Sequence, residues 1–166
     1  MLVYNAIFLS VIDYCCTVWG NTSKSNLQRI YKLQKRAGRV ILGVDVTFPS
    51  RSLLKTLHWL PIDLRIDYFM AVQTFKILHG LAPDYLNQFA YVSEMYHFNT
   101  RSANNADLYV PSFKTAAGQR SFAYRAANNW NNIPSSIRNS VSLSQFKAHL
   151  RSFLHTKFMN EGSSLD

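Results

Sequence analysis

The chain has 166 residues, about the length of one domain. Hydrophobic residues make up 48% of it and aromatic residues 14%, which suits a packed core and excludes a disordered chain. A formal net charge of +9 disfavours the class of acidic proteins. It is compatible with nucleic acid or an anionic membrane surface as a partner.

The first predicted element is the apolar run over residues 2–19. A secretory signal would begin with basic residues, but none occurs before Lys24. A membrane span would tolerate Asn5 and Asp13 poorly, and the run is at the short limit for one. We therefore expect one buried helix or two short ones, in a chain that is neither secreted nor transmembrane.

The only two cysteines, Cys15 and Cys16, are neighbours. Such a pair cannot close a loop and does not have zinc-ligand spacing. A disulfide scaffold is therefore excluded, and we expect an intracellular protein, nuclear or cytoplasmic.

Positive charge is concentrated in two blocks of the sequence. Residues 24–51 hold seven bases and one acid, and residues 111–158 hold seven bases and no acid. The segment between them is almost neutral.

The first block contains an amphipathic helix, predicted over residues 25–42, which Ser23 or Ser25 can cap and Gly43 can end. At about 100° per residue, one face is apolar and is expected to pack in the core. That face holds Leu27, Ile30, Leu33, Ala37, Val40 and Ile41, and the opposite face holds Arg29, Lys32, Lys35, Arg36 and Arg39.

No acid lies among these bases to form intrahelical ion pairs. The basic face can therefore lie along a phosphate backbone, where it would position nucleic acid without reading its sequence. The alternative is an ordinary solvated helix face. An anionic membrane is less favoured, because the opposite face is expected to be core.

The centre of the chain also predicts helices. A short one runs from Ser50 or Ser52 through Leu57, and a long one runs from Pro61 to about His79 before Gly80. Residues 84–89 can form another short helix.

The C-terminal part predicts an irregular stretch and then two helices. Residues 108–110 can form a short strand before Pro111. One helix carries Phe122, Ala126 and Trp130 and closes before Pro134. The last begins at Ser142 with a capping box through Gln145, and its apolar face holds Leu143, Phe146, Leu150, Phe153, Leu154 and Phe158. The predicted fold is mainly α, an irregular bundle of about six to eight helices, with a loop-rich stretch near 92–118 that can hold a short β hairpin.

No catalytic or metal-binding pattern stands out. Asp63 and Asp67 share a helix face, but without a visible third ligand they are more simply a solvated face. The five histidines form no metal-ligand spacing, and no glycine-rich phosphate loop is present. Trp19, Trp59 and Trp130 have apolar neighbours and are predicted to be core residues instead of base-stacking ones.

Five segments in order carry a family resemblance. They are IDYCCTVWG (12–20), LQRIYKLQKRAGRVILG (27–43), LHWLPIDLR (57–65), FKILHGLAPDYL (75–86) and GQRSFAYRAANNWNNIPSSIRNSVSLSQFKAHLRSFL (118–154). Together they resemble the thumb and post-thumb region of reverse transcriptases of non-LTR (LINE-like, jockey-type) retrotransposons. One departure is Ser10, which stands near a place where the family commonly has proline, so a helix there can run on unbroken.

The resemblance implies a fragment of an RNA-directed DNA polymerase from a mobile element. The family's polymerase motif contains an Asp-Asp pair, which this chain lacks. We therefore expect no catalysis and no cofactor of its own, with magnesium belonging to a missing polymerase core. The implied organisation is a thumb-like part over 1–90, an irregular connector over 91–118, C-terminal helices over 119–158 and a disordered tail over 159–166, all in one compact unit.

The implied partner is RNA or an RNA–DNA template–primer duplex, bound by the basic helix. A second, weaker set of candidate contacts is Arg120, Arg125, Lys147 and Arg151. The alternative is an interaction module that packs on the polymerase core and binds no nucleic acid itself. The oligomeric state stays open.

Overall fold

A computed structural model describes residues 2–95 and 106–160. The helices of this part are α1 (Ser10–Asp13), α2 (Cys16–Trp19), α3 (Lys24–Leu42), α4 (Ser50–Thr56), α5 (Ile62–Leu78), α6 (Val92–Met95), α7 (Phe122–Asn131), α8 (Ser135–Arg138) and α9 (Leu143–Asn160). A π-helical segment, Tyr4–Leu9, leads into α1, and single 3₁₀ turns lie at Asp84–Leu86 and Gly118–Arg120. The predicted mainly α fold is confirmed.

The chain divides into two compact units. Unit 1 takes its described residues from 2–66 and 153–160, and unit 2 takes its own from 67–95 and 106–152. The division falls inside α5 and α9. The segments predicted from the sequence (1–90, 91–118, 119–158 and 159–166) have different boundaries from these two units. They remain a prediction. The last helix reaches Asn160, two residues into the predicted tail, and 161–166 lie outside the described residues.

The core of unit 1 is built mainly by α4 and the first turns of α5. Its buried hydrophobic residues are Tyr4, Cys16, Leu53, Leu54, Leu57, Trp59, Leu60, Ile62, Leu64, Ile66, Leu154 and Phe158. Tyr4 stacks on Trp59 with 3.6 Å between ring centroids. Arg65 donates to both carboxylate oxygens of Asp13, which joins α5 to α1 within the unit.

The expectation that the N-terminal run is buried is wrong for most of its side chains. Tyr4 and Cys16 are buried, but six large apolar side chains are 65–85% exposed. We call these six the N-terminal stripe: Leu2, Val3, Ile7, Val11, Tyr14 and Val18. The helix does continue through Ser10, as expected without proline there, and it ends at Asp13. Tyr14 is then extended, and Cys15 has a φ of 48°.

The core of unit 2 centres on α5, α7 and α9. Its buried hydrophobic residues are Met70, Ala71, Val72, Phe75, Ile77, Leu108, Ala126, Ala127, Trp130, Ile133, Phe146 and Leu150. Phe75 stacks on Phe146 at 4.4 Å between centroids, with Trp130 at 5.8 Å from Phe146. Most residues on the predicted apolar faces of the last two long helices are thus buried, and Phe122, Leu143 and Phe153 are half-buried.

The segment around Leu108 is held by side chains from α7 and α8. Asn131 accepts the Leu108 N–H and donates to the Leu108 carbonyl, both at 2.8 Å. The buried Arg138 pairs with Asp107 at 2.9 Å and donates to the Ala106 carbonyl. Among the described residues, the β structure near the predicted hairpin is a single antiparallel bridge between Tyr91 and Leu108. Residues 96–105, where a hairpin turn would fall, lie outside the described part.

Candidate nucleic-acid interface

Helix α3 has nearly the predicted extent and termini. Ser23 precedes it in an extended conformation, and Gly43 ends it with a φ of 64°. A positive φ at the residue after a helix is the conformation that glycine adopts at little cost. The Val44 N–H then reaches back to the Arg39 carbonyl, which completes the helix end.

The face of α3 that packs in unit 1 is not centred on the predicted apolar residues. Gln34 and Gly38 are the buried positions of the helix. The Gln34 side chain donates to the Leu60 carbonyl at 2.9 Å, and a Cβ on Gly38 would lie 2.6 Å from Leu53 Cδ2. A glycine therefore allows α3 to approach α4 closely, and this approach sets the rotation of the helix.

Because of this rotation, part of the predicted core face of α3 is exposed. Leu33 is 55% exposed, Val40 77% and Ile41 38%. The expectation that all six apolar residues pack in the core is therefore wrong. Leu27, Ile30 and Ala37 are half-buried at the edge of the contact.

We call three of the five predicted basic residues the α3 basic face: Arg29, Lys32 and Arg36. All three are exposed. Their side chains make no hydrogen bond or ion pair within residues 2–95 and 106–160. The helix contains no acidic residue, so the positive charge of this face is uncompensated along α3.

The other two predicted bases are engaged with their own unit. The Lys35 ammonium lies 4.5 Å from the centroid of the Tyr31 ring, a cation–π contact. The Arg39 guanidinium is within 3.4 Å of the Phe48 carbonyl and 3.5 Å of the Ser50 hydroxyl, and its Nε is buried without a partner. The Arg39 side chain thus stabilises the loop after α3. Its guanidinium is therefore less available to bind a phosphate.

The second predicted set lies entirely in unit 2. Arg120 and Arg151 are exposed and Lys147 is half-buried. Arg125 is half-buried and lies 3.8 Å from the Asp67 carboxylate. The last contact also shows that Asp67, one of the two helix carboxylates, already has a cation beside it.

Two basic side chains that the sequence analysis did not single out donate hydrogen bonds to carbonyls at the C-terminal end of α9. Arg51 donates to the Phe158 carbonyl and Lys55 donates to the Met159 carbonyl at 3.1 Å. Cations stabilise the free carbonyls at a helix C-terminus. Arg51, from the first charge block, and Lys55, which follows that block, therefore have a structural role that their spacing in the sequence did not reveal.

The tryptophans follow the prediction in two cases. Trp59 and Trp130 are buried, at 8% and 3% exposure. Trp19 is half-buried, and its indole N–H donates to the Tyr14 carbonyl at 2.8 Å.

Burial and charge shift the pKa of groups beside the Asp13–Arg65 pair. Burial, and then the Asp13 charge, raises the pKa of the Cys16 thiol to about 11. Burial is the largest influence on Arg65 and lowers its pKa, but the hydrogen bonds and the charge of Asp13, with smaller contributions from Tyr4 and Cys16, together raise the pKa above its usual value. This pair is therefore a fixed structural contact of unit 1.

No group of three or more His, Cys, Asp or Glu side chains that could hold a metal ion occurs in the part of the chain that the structure describes. Nor is any helix within the described ranges long and apolar enough to cross a membrane.

No family model matches the chain, and no match to it was found among curated proteins or solved structures. The resemblance to reverse transcriptases of non-LTR retrotransposons therefore stays a prediction from the sequence.

Proposed function

We propose that the chain holds a nucleic-acid duplex through phosphate contacts from the α3 basic face. The observation that carries this proposal is the exposure of Arg29, Lys32 and Arg36 on one helix without a described partner or a neighbouring acid. Arg39 and Arg51 differ from these three residues, because both donate hydrogen bonds within their own unit. The resemblance of the sequence supports an RNA–DNA template–primer duplex as the ligand.

The spacing of these bases suits a phosphate backbone. Arg29 and Arg36 are seven residues apart, which is about 10 Å along a helix axis. One strand of a duplex carries a phosphate about every 3.4 Å of rise. The α3 basic face can thus neutralise about three phosphates, a contact that gives affinity without sequence specificity.

The proposed role is noncatalytic. In the family that the sequence resembles, polymerase chemistry depends on an Asp-Asp pair with magnesium, and this sequence holds no such pair. We therefore assign RNA-directed DNA synthesis to a polymerase core outside this chain, and the holding of its template–primer to α3.

The first experiment compares the wild-type chain with a variant carrying Arg29→Gln, Lys32→Gln and Arg36→Gln. Binding to a blunt RNA–DNA duplex is measured by fluorescence anisotropy at several salt concentrations. Since each lost phosphate contact removes about 0.9 from the slope of log K against log salt, we expect the slope to become less negative by about 2.7. The affinity at about 0.1 M salt should fall at least about tenfold.

A matched control removes the same charge from unit 2 through Lys76→Gln, Lys147→Gln and Arg151→Gln. Both variants lose three positive charges, so an effect of net charge alone would be equal in the two. A loss in the control that equals or exceeds that of the α3 variant would contradict the assignment to α3. Circular dichroism spectra of both variants establish that their helices are intact.

A second candidate function rests on the N-terminal stripe. Six large apolar side chains exposed by 65–85% in one run of chain are unusual for a surface that faces water. The run before Asp13 is uncharged, so burying the stripe against a protein would desolvate no charge there. This favours an interaction module that packs on a polymerase core.

The two candidates differ in what the isolated chain does. If the stripe is a protein-docking surface, the isolated chain should aggregate or bind a hydrophobic dye. Replacing Val3, Ile7 and Val11 by serine should lower both signals. A folded, monodisperse chain that binds dye but no duplex would favour the interaction module over the nucleic-acid proposal. A chain that binds the duplex and no dye would exclude the module.

A further inference from the structure

The loop over residues 111–121 in unit 2 carries one exposed aromatic ring and two exposed basic side chains. The Phe113 side chain is 38% exposed, and Lys114 and Arg120 are both exposed. Neither base has a side-chain hydrogen bond or ion pair with another residue in the described part of the chain. Residues 111–158 hold no acid that could compete for these charges.

Hydrogen bonds within the loop hold it in a defined turn. The Thr115 hydroxyl accepts from the Gly118 N–H at 3.1 Å, and the Thr115 carbonyl accepts from the Gln119 N–H at 3.0 Å. The Gln119 side chain donates to the Phe113 carbonyl at 3.1 Å. The loop then enters α7 at Ser121, whose hydroxyl accepts from the Tyr124 N–H. These contacts fix the backbone of the loop that carries the ring and the two basic side chains.

The Phe113 ring is supported without being buried. A Cβ on Gly118 would lie 2.8 Å from three carbons of the Phe113 side chain, so the glycine backbone lies directly against it. The Tyr124 ring meets it edge-on, with 6.1 Å between centroids. An aromatic side chain held from behind and exposed over more than a third of its surface can stack on a planar ligand at low entropic cost.

We propose that Phe113, Lys114 and Arg120 bind single-stranded nucleic acid. An unpaired nucleobase stacks on the Phe113 ring, and the flanking phosphates contact the Lys114 and Arg120 side chains. Stacking on aromatic rings combined with basic side chains is how single strands are bound without sequence preference. An apolar protein partner fits less well, because covering the ring would also desolvate two unpaired cations. The inference rests on the proposed nucleic-acid function and adds a second, chemically different contact to it.

The test measures binding of labelled twelve-nucleotide oligo-dT and oligo-U to the full chain by fluorescence anisotropy. Phe113→Ala should weaken binding by about five- to hundredfold, the range for loss of one stacked base, with the salt slope unchanged. Combined Lys114→Gln and Arg120→Gln should instead make the slope less negative by about 1.4, at about 0.7 for each single-strand contact.

A matched control is Tyr85→Ala in the same unit. Tyr85 is 83% exposed, more than Phe113, but its neighbour is Asp84 and no base adjoins it. We expect this variant to bind like the wild type. Equal binding by Phe113→Ala and Tyr85→Ala, in a chain that does bind nucleic acid, would overturn this inference and leave the proposed function standing.

A second variant keeps the test independent of folding. Phe113→Trp retains a stacking ring, so it should bind like the wild type, and its added indole emission should be quenched by the oligonucleotide. Absence of extra quenching relative to the wild type would contradict the stacked base. If the wild type binds neither single strand nor duplex at low salt, the proposed function itself fails.

Discussion

Gly38 is the residue at which the packing of α3 is most sensitive to a single methyl group. An alanine Cβ there would lie 2.6 Å from Leu53 Cδ2 and 3.1 Å from Leu57 Cδ1, and Leu53 is fully buried. Overpacking of this kind costs about 1–3 kcal/mol, which the better helix propensity of alanine, about 1 kcal/mol, offsets only in part.

We therefore predict that Gly38→Ala lowers the free energy of unfolding, measured by urea denaturation. The exposed Gln28→Ala on the same helix is the control and should change stability by less than about 0.5 kcal/mol. A Gly38→Ala chain as stable as this control would show that α3 and α4 do not approach as closely as described.

The two adjacent thiols are predicted to react at different rates. Cys15 is exposed, whereas Cys16 is 3% exposed and its pKa is raised to about 11. Since the thiolate is the nucleophile, a thiol reagent at pH 8 should label Cys15 quickly and Cys16 slowly. The Cys15→Ser chain should then label only slowly, and equal rates for the two thiols in the native chain would contradict the burial of Cys16.

The raised pKa of the Cys16 thiol makes the free energy of unfolding depend on pH. The fold favours the neutral thiol of Cys16, because its pKa is raised from 9.0 to about 11. Its contribution is therefore fully present below about pH 9 and is lost as the pH rises towards 11. A Cys16→Ser chain should show less of this loss in denaturation measured at pH 8 and pH 10.5.

At the scale of single elements, helix ends were easier to predict from the sequence than helix rotation. Gly43 ends α3 and Ser142 caps α9, because these contacts depend on a few local residues. Ser23 precedes α3 as predicted, but its side chain makes no capping hydrogen bond. The buried face of α3 depends on its neighbour instead. A glycine and a buried glutamine decide it, and neither contributes to an apolar periodicity.

The predicted capping box of α9 provides a test at this scale. The Ser142 hydroxyl accepts from the Gln145 N–H at 3.2 Å, and the Gln145 side chain accepts from the Val141 N–H at 3.2 Å. Ser142→Ala should lower stability by about 1 kcal/mol, since it removes an N-cap acceptor. The exposed Ser144→Ala lies inside the helix and should be neutral or slightly stabilising. Indistinguishable thermal unfolding of the two variants would contradict the cap.

For the whole molecule, composition and periodicity were enough to predict a mainly α fold. The apolar faces of α7 and α9 were also predicted, since the face of α7 packs in the core of unit 2 and that of α9 supplies Phe146 and Leu150 to unit 2 and Leu154 and Phe158 to unit 1. The N-terminal stripe was not predicted, because apolar content alone does not show whether a partner surface exists for it. The candidate site was predicted in part, since the sequence identified its basic residues. It did not reveal that the Arg39 side chain stabilises a loop, or that the Phe113 ring is exposed.

The measurement that tests the central claim most directly is the salt dependence of binding by the wild-type chain. Its affinity for a blunt RNA–DNA duplex is measured by fluorescence anisotropy from about 0.05 to about 0.2 M salt. Three phosphate contacts predict a slope of log K against log salt of about −2.7 or steeper. A folded, monodisperse chain that does not bind, or that binds with a slope near zero, would contradict phosphate contacts from α3.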